Sequence, residues 1–142
     1  MVFRTSSTQY TAMGFRYDDD GTVWCQAIAH AALTAGSMYR VIPYSYGLKT
    51  AAVASGTTLC MVGFPDKTYA TGDLAWIQVG GAVADATTSS MTVSVDQHYG
   101  LTSGTFASIG SFTTAVFAIG QTAATSSTAN DFVLIPRWIT PT

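Results

Sequence analysis

Glutamate is missing from this 142-residue chain, and lysine occurs only at Lys49 and Lys67. Both residue types are common on exposed helices, whereas Thr, Val, Ile and the seven Tyr and seven Phe residues favour strands. The sequence therefore predicts a mainly β protein. Its length suits a single domain with a core and is short for two domains.

Charge is also scarce, at 10% of residues against roughly 25% in an average soluble domain. Much of the surface must then consist of Ser, Thr, Ala and Gly, which leaves little charge repulsion between copies. This composition favours a subunit whose surface is partly covered by other subunits, in an oligomer or a lattice. The net charge is -2, and the six cationic residues are scattered singly, so nucleic acid is not an expected partner.

Targeting and membrane segments are not evident in the sequence. No N-terminal run combines basic residues, an apolar stretch and a cleavage site, and no apolar run approaches about 20 residues. Cys25 and Cys60 are too few for a disulfide framework, and we expect two buried free thiols. We therefore expect synthesis in the cytoplasm.

The chain divides into three predicted parts. Residues 1–14 have no helical period and predict an extended N-terminal arm, residues 15–136 predict one small β-barrel or β-sandwich domain, and residues 137–142 form a short C-terminal tail. Within the domain, residues 15–17 and 22–24 flank an Asp-Asp-Asp-Gly sequence and predict a hairpin. The aspartates do not fit a helix-loop-helix calcium site, which needs a Glu at its twelfth position.

The stretch at residues 74–79 is apolar on both faces apart from Gln78, which predicts a strand in the middle of the fold with Trp76 packed in the core. The sequence Gly80-Gly81 is expected to end it. Residues 82–90 predict a connection and residues 121–131 a polar loop. The Ala-rich residues 26–35 fit either a helical turn or an alternating strand.

Catalytic patterns are weak. His30 follows Cys25 by five residues, and Asp96 lies close to His98, but no nucleophile-elbow sequence nominates a serine. The cysteines and histidines lack the paired spacing of structural zinc sites, and no phosphate-binding or dinucleotide loop is present. We predict that the chain is not an enzyme and has no metal or other cofactor.

The central stretch resembles a known family. The sequence Gly72-Asp73-Leu74-Ala75-Trp76-Ile77-Gln78-Val79-Gly80-Gly81 resembles the Gly-x-x-x-Trp-Val-Gln-x-x-Gly hairpin element of small head proteins from tailed bacteriophages, the decoration or cement proteins of the outer capsid surface. Residues 31–36 are similar to an Ala-Leu-Thr-Ala-Gly turn of these proteins, and residues 119–135 to their closing hairpin. The arm, the first hairpin and the Pro-Arg-Trp tail depart from the pattern.

The resemblance implies a virion protein that binds the major capsid protein across capsomer joints, often as a homotrimer, and stabilises the head without catalysis. Because aromatic residues and Arg dominate interface energetics, we expect contact residues at the two ends of the chain: Phe3, Arg4, Tyr10, Phe15, Arg16, Tyr17, Arg137 and Trp138. A receptor- or carbohydrate-binding β-module of a virion is the alternative, in which Trp24 or Trp138 would stack on a sugar.

Overall fold

Strands are the only regular secondary structure in the part of the chain that the computed structural model describes, which is residues 14–44, 47–53 and 58–142. No helix in these ranges has the length and hydropathy needed to cross a membrane. The mainly β prediction is confirmed. The strands are β1 (Phe15–Tyr17), β2 (Val23–Ile28), β3 (Tyr39–Tyr44), β4 (Gly47–Ala51), β5 (Met61–Pro65), β6 (Leu74–Val93), β7 (His98–Thr102), β8 (Thr105–Ile109), β9 (Val116–Gly120) and β10 (Ala124–Leu134).

Five strands close into a small barrel in the order β2-β4-β3-β5-β6, because β6 also pairs with β2. All of these pairings are antiparallel except that of β2 with β4, which pair in parallel at Ile28 and Lys49. Alternate residues of β2 point inward, so that Val23, Cys25 and Ala27 are buried in the barrel core. The first hairpin is also confirmed, since β1 pairs antiparallel with β2 across the Asp-Gly turn.

Strand β6 belongs to both halves of the fold. Residues 74–80 pair with β2 and β5 in the barrel, and residues 81–93 pair with β10. The prediction that Gly80-Gly81 ends the strand was wrong, as was the prediction of a connection over residues 82–90. Gly81 adopts a φ of 85°, which redirects the strand while the ladder continues.

The second sheet has the order β6-β10-β9-β7-β8. Most of the segment predicted as a loop over residues 121–131 in fact belongs to β10, since residues 124–131 form the larger part of this strand, which pairs with the second half of β6. The pairing has three register shifts, and both Asp85 and Ser126 have positive φ values. These irregularities, together with small exposed side chains, hide the alternation that would mark a strand in the sequence.

Aromatic rings form the core of the second sheet. Phe106 packs against the rings of Tyr99, Phe117 and Phe132, with ring centroids 5.1 to 5.7 Å apart. The C-terminal segment completes this core, because Ile139 is fully buried and bridges Cys60 through two backbone hydrogen bonds. Residues 137–142 therefore include a structural part of the fold.

Trp76 corrects one sequence expectation. Its neighbours Ala75, Ile77 and Val79 fill the barrel interior, whereas the Trp76 ring lies half-buried on the outer face. Sequence alternation could not show which face of β6 is the inner one, because both faces are apolar. The Ala-rich residues 26–35, for which the sequence allowed a helical turn or a strand, contain the last residues of β2 and no helix.

Candidate interaction surface

The β1–β2 hairpin presents the first group of predicted contact residues. Its loop closes through a hydrogen bond from the Asp18 N–H to the Thr22 carbonyl (2.9 Å), with Gly21 at a φ of 88°. The Asp20 carboxylate accepts a hydrogen bond from the Thr22 N–H (2.9 Å). Hydrogen bonds from the side chain and backbone of Thr22 lower the pKa of Asp20. The short loop thus holds β1 against β2.

Arg16 stacks on two tryptophan rings of the outer barrel face. Its Cζ lies 5.1 Å from the centroid of Trp24, its direct partner across the strands, and 4.8 Å from that of Trp76 on β6. Asp18 fixes the arrangement, since its Oδ1 accepts from Arg16 Nε (3.1 Å) and its Oδ2 from Trp24 Nε1 (3.1 Å). We call these four residues the Arg16 cluster.

Phe15 and Tyr17 flank Arg16 on β1, a strand at the edge of its sheet. Their side chains are 40% and 74% exposed. An edge strand with two exposed aromatic rings and a stacked arginine offers both backbone groups and apolar surface to a partner.

A second Arg–aromatic contact lies near the C-terminus. Arg137 Cζ lies 4.8 Å from the ring centroid of Phe112, and the His98 ring packs against the same ring in a T-shaped arrangement with the two centroids 5.5 Å apart. Phe112 is 55% exposed and Trp138 is 39% exposed. We call Arg137, Phe112 and His98 the Arg137 cluster. No hydrogen bond, ion pair or ring contact joins it to the Arg16 cluster within the described ranges.

Among the predicted contact residues, Phe3, Arg4 and Tyr10 lie outside the described residues. The structure places Phe15, Arg16 and Tyr17 together on one edge strand, and Arg137 and Trp138 in the C-terminal segment. Sequence reasoning missed Trp76 and Phe112 as surface residues. The stacking of Arg16 on Trp24 follows from the hairpin register, which the structure shows: β2 begins at Val23, one residue later than the predicted run, so that Arg16 pairs with Trp24.

Comparisons with known proteins do not assign a family. No protein-family model matches the chain, and no curated protein matches it.

The candidate nucleophile Cys25 is unsuited to catalysis. It is fully buried in the barrel, and burial raises the pKa of its thiol from 9.0 to about 12, so the thiol stays protonated at neutral pH. His30, the proposed base, is exposed and bonds elsewhere: its Nδ1 lies 2.7 Å from Thr50 Oγ1, which also accepts from the His30 backbone N–H. Both cysteines are buried and free, as expected.

Two of the three aspartates of the first hairpin are held by protein groups, Asp18 by Arg16 and Trp24 and Asp20 by Thr22. No group of three or more His, Cys, Asp or Glu side chains suited to a metal ion occurs among the described residues. His98, the second histidine considered as a catalytic candidate, packs on Phe112.

The arrangement of the Arg16 and Arg137 clusters is suited to binding a protein surface through aromatic and guanidinium groups.

Proposed function

We propose that this chain is a non-catalytic structural subunit of a virion, a decoration or cement protein that binds the outside of a tailed-phage head and stabilises it. The observation that carries the proposal is the amount of large apolar surface left uncovered on a weakly charged molecule. Among the described residues the exposed large apolar side chains are Phe15, Tyr17, Tyr44, Leu59, Val95, Phe112, Val133 and Trp138.

Such a surface is costly for a free subunit, because so few charged residues oppose association. Arg, Trp and Tyr are the residues that contribute most at protein interfaces. In the Arg16 cluster, stacking and the Asp18 contacts orient the guanidinium before any partner arrives, which reduces the side-chain entropy lost on binding. These features favour a protein partner that covers the surface permanently.

The finer assignment to a phage head rests on the sequence resemblance. The resembling segment, residues 72–81, covers the barrel half of β6, which joins the two halves of the fold. A rigid β body with exposed elements is suited to bridging capsomer joints, where a cement protein must resist pressure from packed DNA. The proposed partner is the major capsid protein, and the proposed assembly is a homo-oligomer, with a trimer favoured, on the capsid surface.

A sugar-binding role is less well supported. A sugar stacks on an open aromatic face, whereas Arg16 covers one face of both Trp24 and Trp76. A protein partner can instead contact the outer edge of the guanidinium and the exposed rings beside it.

The proposal can be tested on heads of the tailed phage that encodes this chain, produced without it. The purified chain should cosediment with these heads at a saturating ratio and raise the temperature at which they release DNA. Tyr17→Ser and Phe112→Ser should weaken this binding, because both remove exposed rings. Thr125→Lys, at an exposed position on β10, is the matched control.

A folded chain that never cosediments with heads would overturn the proposal. Glycan-array binding that depends on Trp24 or Trp138, with no head association, would support the receptor-binding alternative instead.

A further inference from the structure

The second sheet has a groove between its two end strands, β6 and β8. Residues 87–89 of β6 form one side, and Gly104 with the first two residues of β8 forms the other. Met38 and Val53 also line the groove and pack on the core of this sheet. The groove measures about 290 Å³. This is at the lower limit for small-molecule pockets, which makes a narrow occupant more suitable than a bulky ligand.

Strand directions explain why the sheet leaves this gap. Neighbours in the order β6-β10-β9-β7-β8 are all antiparallel, so the five strands alternate in direction and the two end strands run the same way. They cannot close on each other with antiparallel pairing. One further strand, antiparallel to both β6 and β8, would complete a closed six-stranded arrangement.

Among the described residues, the outer edges of both end strands have few backbone partners. In the described ranges β8 pairs only with β7, and the second half of β6 pairs on its outer side only through the bridge between Ser37 and Thr87. The Thr87 N–H already donates to the Gly36 carbonyl, so pairing with an added strand would begin beyond it, at the Ser89 N–H, while the Ser89 carbonyl also accepts from the Thr88 hydroxyl (2.8 Å). Unpaired strand edges of this kind are templates for strand addition.

We propose that the groove accepts the N-terminal segment, residues 1–13, of a second copy of this chain as an added antiparallel strand. The inference does not depend on head binding. The groove lining contains no charged side chain, and the segment has a single one, Arg4. The segment is rich in Thr and also contains Val2 and Tyr10, which are residue types favoured in strands.

The position of Gly14 favours another copy over the same chain. The Gly14 carbonyl accepts from the Gln26 N–H, while Tyr17 pairs with Val23, which itself pairs with Gly80. Going from Tyr17 back to Gly14, the chain therefore runs away from the junction at Gly80 where the second sheet begins. Thirteen extended residues span at most roughly 45 Å, about three times the radius of gyration of a domain of this size. A segment of this length that leads away from its own second sheet can reach the groove of a neighbouring copy.

The test uses full-length chains and sedimentation velocity. One variant, Thr8→Pro, removes a backbone donor and disfavours strand pairing in the segment. Another, Ser89→Lys with Thr105→Lys, places charge at two exposed groove positions. Each variant should weaken self-association by roughly tenfold or more. Thr125→Lys, a matched change away from the groove, should leave association unchanged.

Mixing the two defective variants distinguishes exchange between copies from an intramolecular arrangement. The Thr8→Pro chain keeps an intact groove, and the groove variant keeps an intact segment. An equimolar mixture should therefore form heterodimers, whereas each variant alone should stay largely monomeric. Circular dichroism should show that both remain folded.

Self-association that survives both variants would overturn the proposal. A second contradicting result is a monomeric wild-type chain whose amides at residues 88–89 and 105–106 are protected from hydrogen exchange at every protein concentration. This result would mean that the groove is filled by the same chain. Protection that appears only when heads are added would assign the groove to a capsid strand, and would equally contradict it.

Discussion

Replacement of Arg16 by Ala gives the most direct test of the Arg16 cluster. The guanidinium lies within 5.1 Å of two ring centroids, and a cation–π contact at an exposed site contributes about 0.5–1 kcal/mol. Two such contacts give about 1–2 kcal/mol. The ion pair with Asp18 adds only a few tenths, roughly, because both side chains are more than one-third exposed. We expect Arg16→Ala to lower the unfolding free energy by about 1–2 kcal/mol.

Urea unfolding followed by circular dichroism measures this change. Arg16→Lys is the matched control, because it keeps the charge but loses the planar group that stacks on both rings. It should recover less than half of the lost stability. A double-mutant cycle with Trp76→Leu should give a coupling energy of about 0.5–1 kcal/mol.

The reasoning would be refuted by an Arg16→Ala chain as stable as the wild type, or by full recovery with Lys. Either result would mean that the stacking contributes nothing and that the guanidinium is not held in place before binding.

Three further changes test other parts of the fold. Burial raises the pKa of the Cys25 thiol, so its contribution to stability is complete below pH 9.0 and declines as pH rises toward 12, with a loss of roughly 2 kcal/mol by about pH 10.5. The denaturation midpoint of Cys25→Ala should therefore fall less between pH 8 and 10.5 than that of the wild type. An identical fall in both chains would contradict this. A Cβ at Gly63 would lie 2.2 Å from a backbone oxygen of β6, so Gly63→Ala should destabilise by about 3 kcal/mol or more in urea unfolding, while Gly110→Ala, with open space, should change stability by less than about 0.5 kcal/mol. Ile139→Ala should lower the unfolding free energy by about 2–4 kcal/mol and Thr140→Ala by less than about 0.5 kcal/mol, and equal effects would contradict a structural role for the C-terminal segment.

Local signals in the sequence predicted local structure well. The first hairpin follows from an Asp-Gly turn between two short aromatic runs, although its register, which pairs Arg16 with Trp24, was not predicted. The barrel half of β6 follows from its continuous apolar run. In each case the deciding residues are close together in the chain.

Long-range pairing was not predictable in the same way. The second half of β6 and β10 are separated by about 30 to 50 residues, and each looks like a loop because its side chains are small and exposed. Their stability comes from pairing with each other, which neither segment shows alone. The contact between Arg137 and Phe112 likewise depends on the path of the C-terminal segment across the second sheet.

The central claim is that this chain acts by covering a head surface. A cryo-electron microscopy map of the intact particle that encodes it tests this most directly. The account predicts density for the β body on the outer capsid surface at capsomer joints, with the exposed rings of the β1–β2 hairpin or of the Phe112 region covered by a neighbouring protein. Density for the chain only at a tail fibre tip, or no density for it on the outer capsid surface of particles that contain the chain, would contradict it.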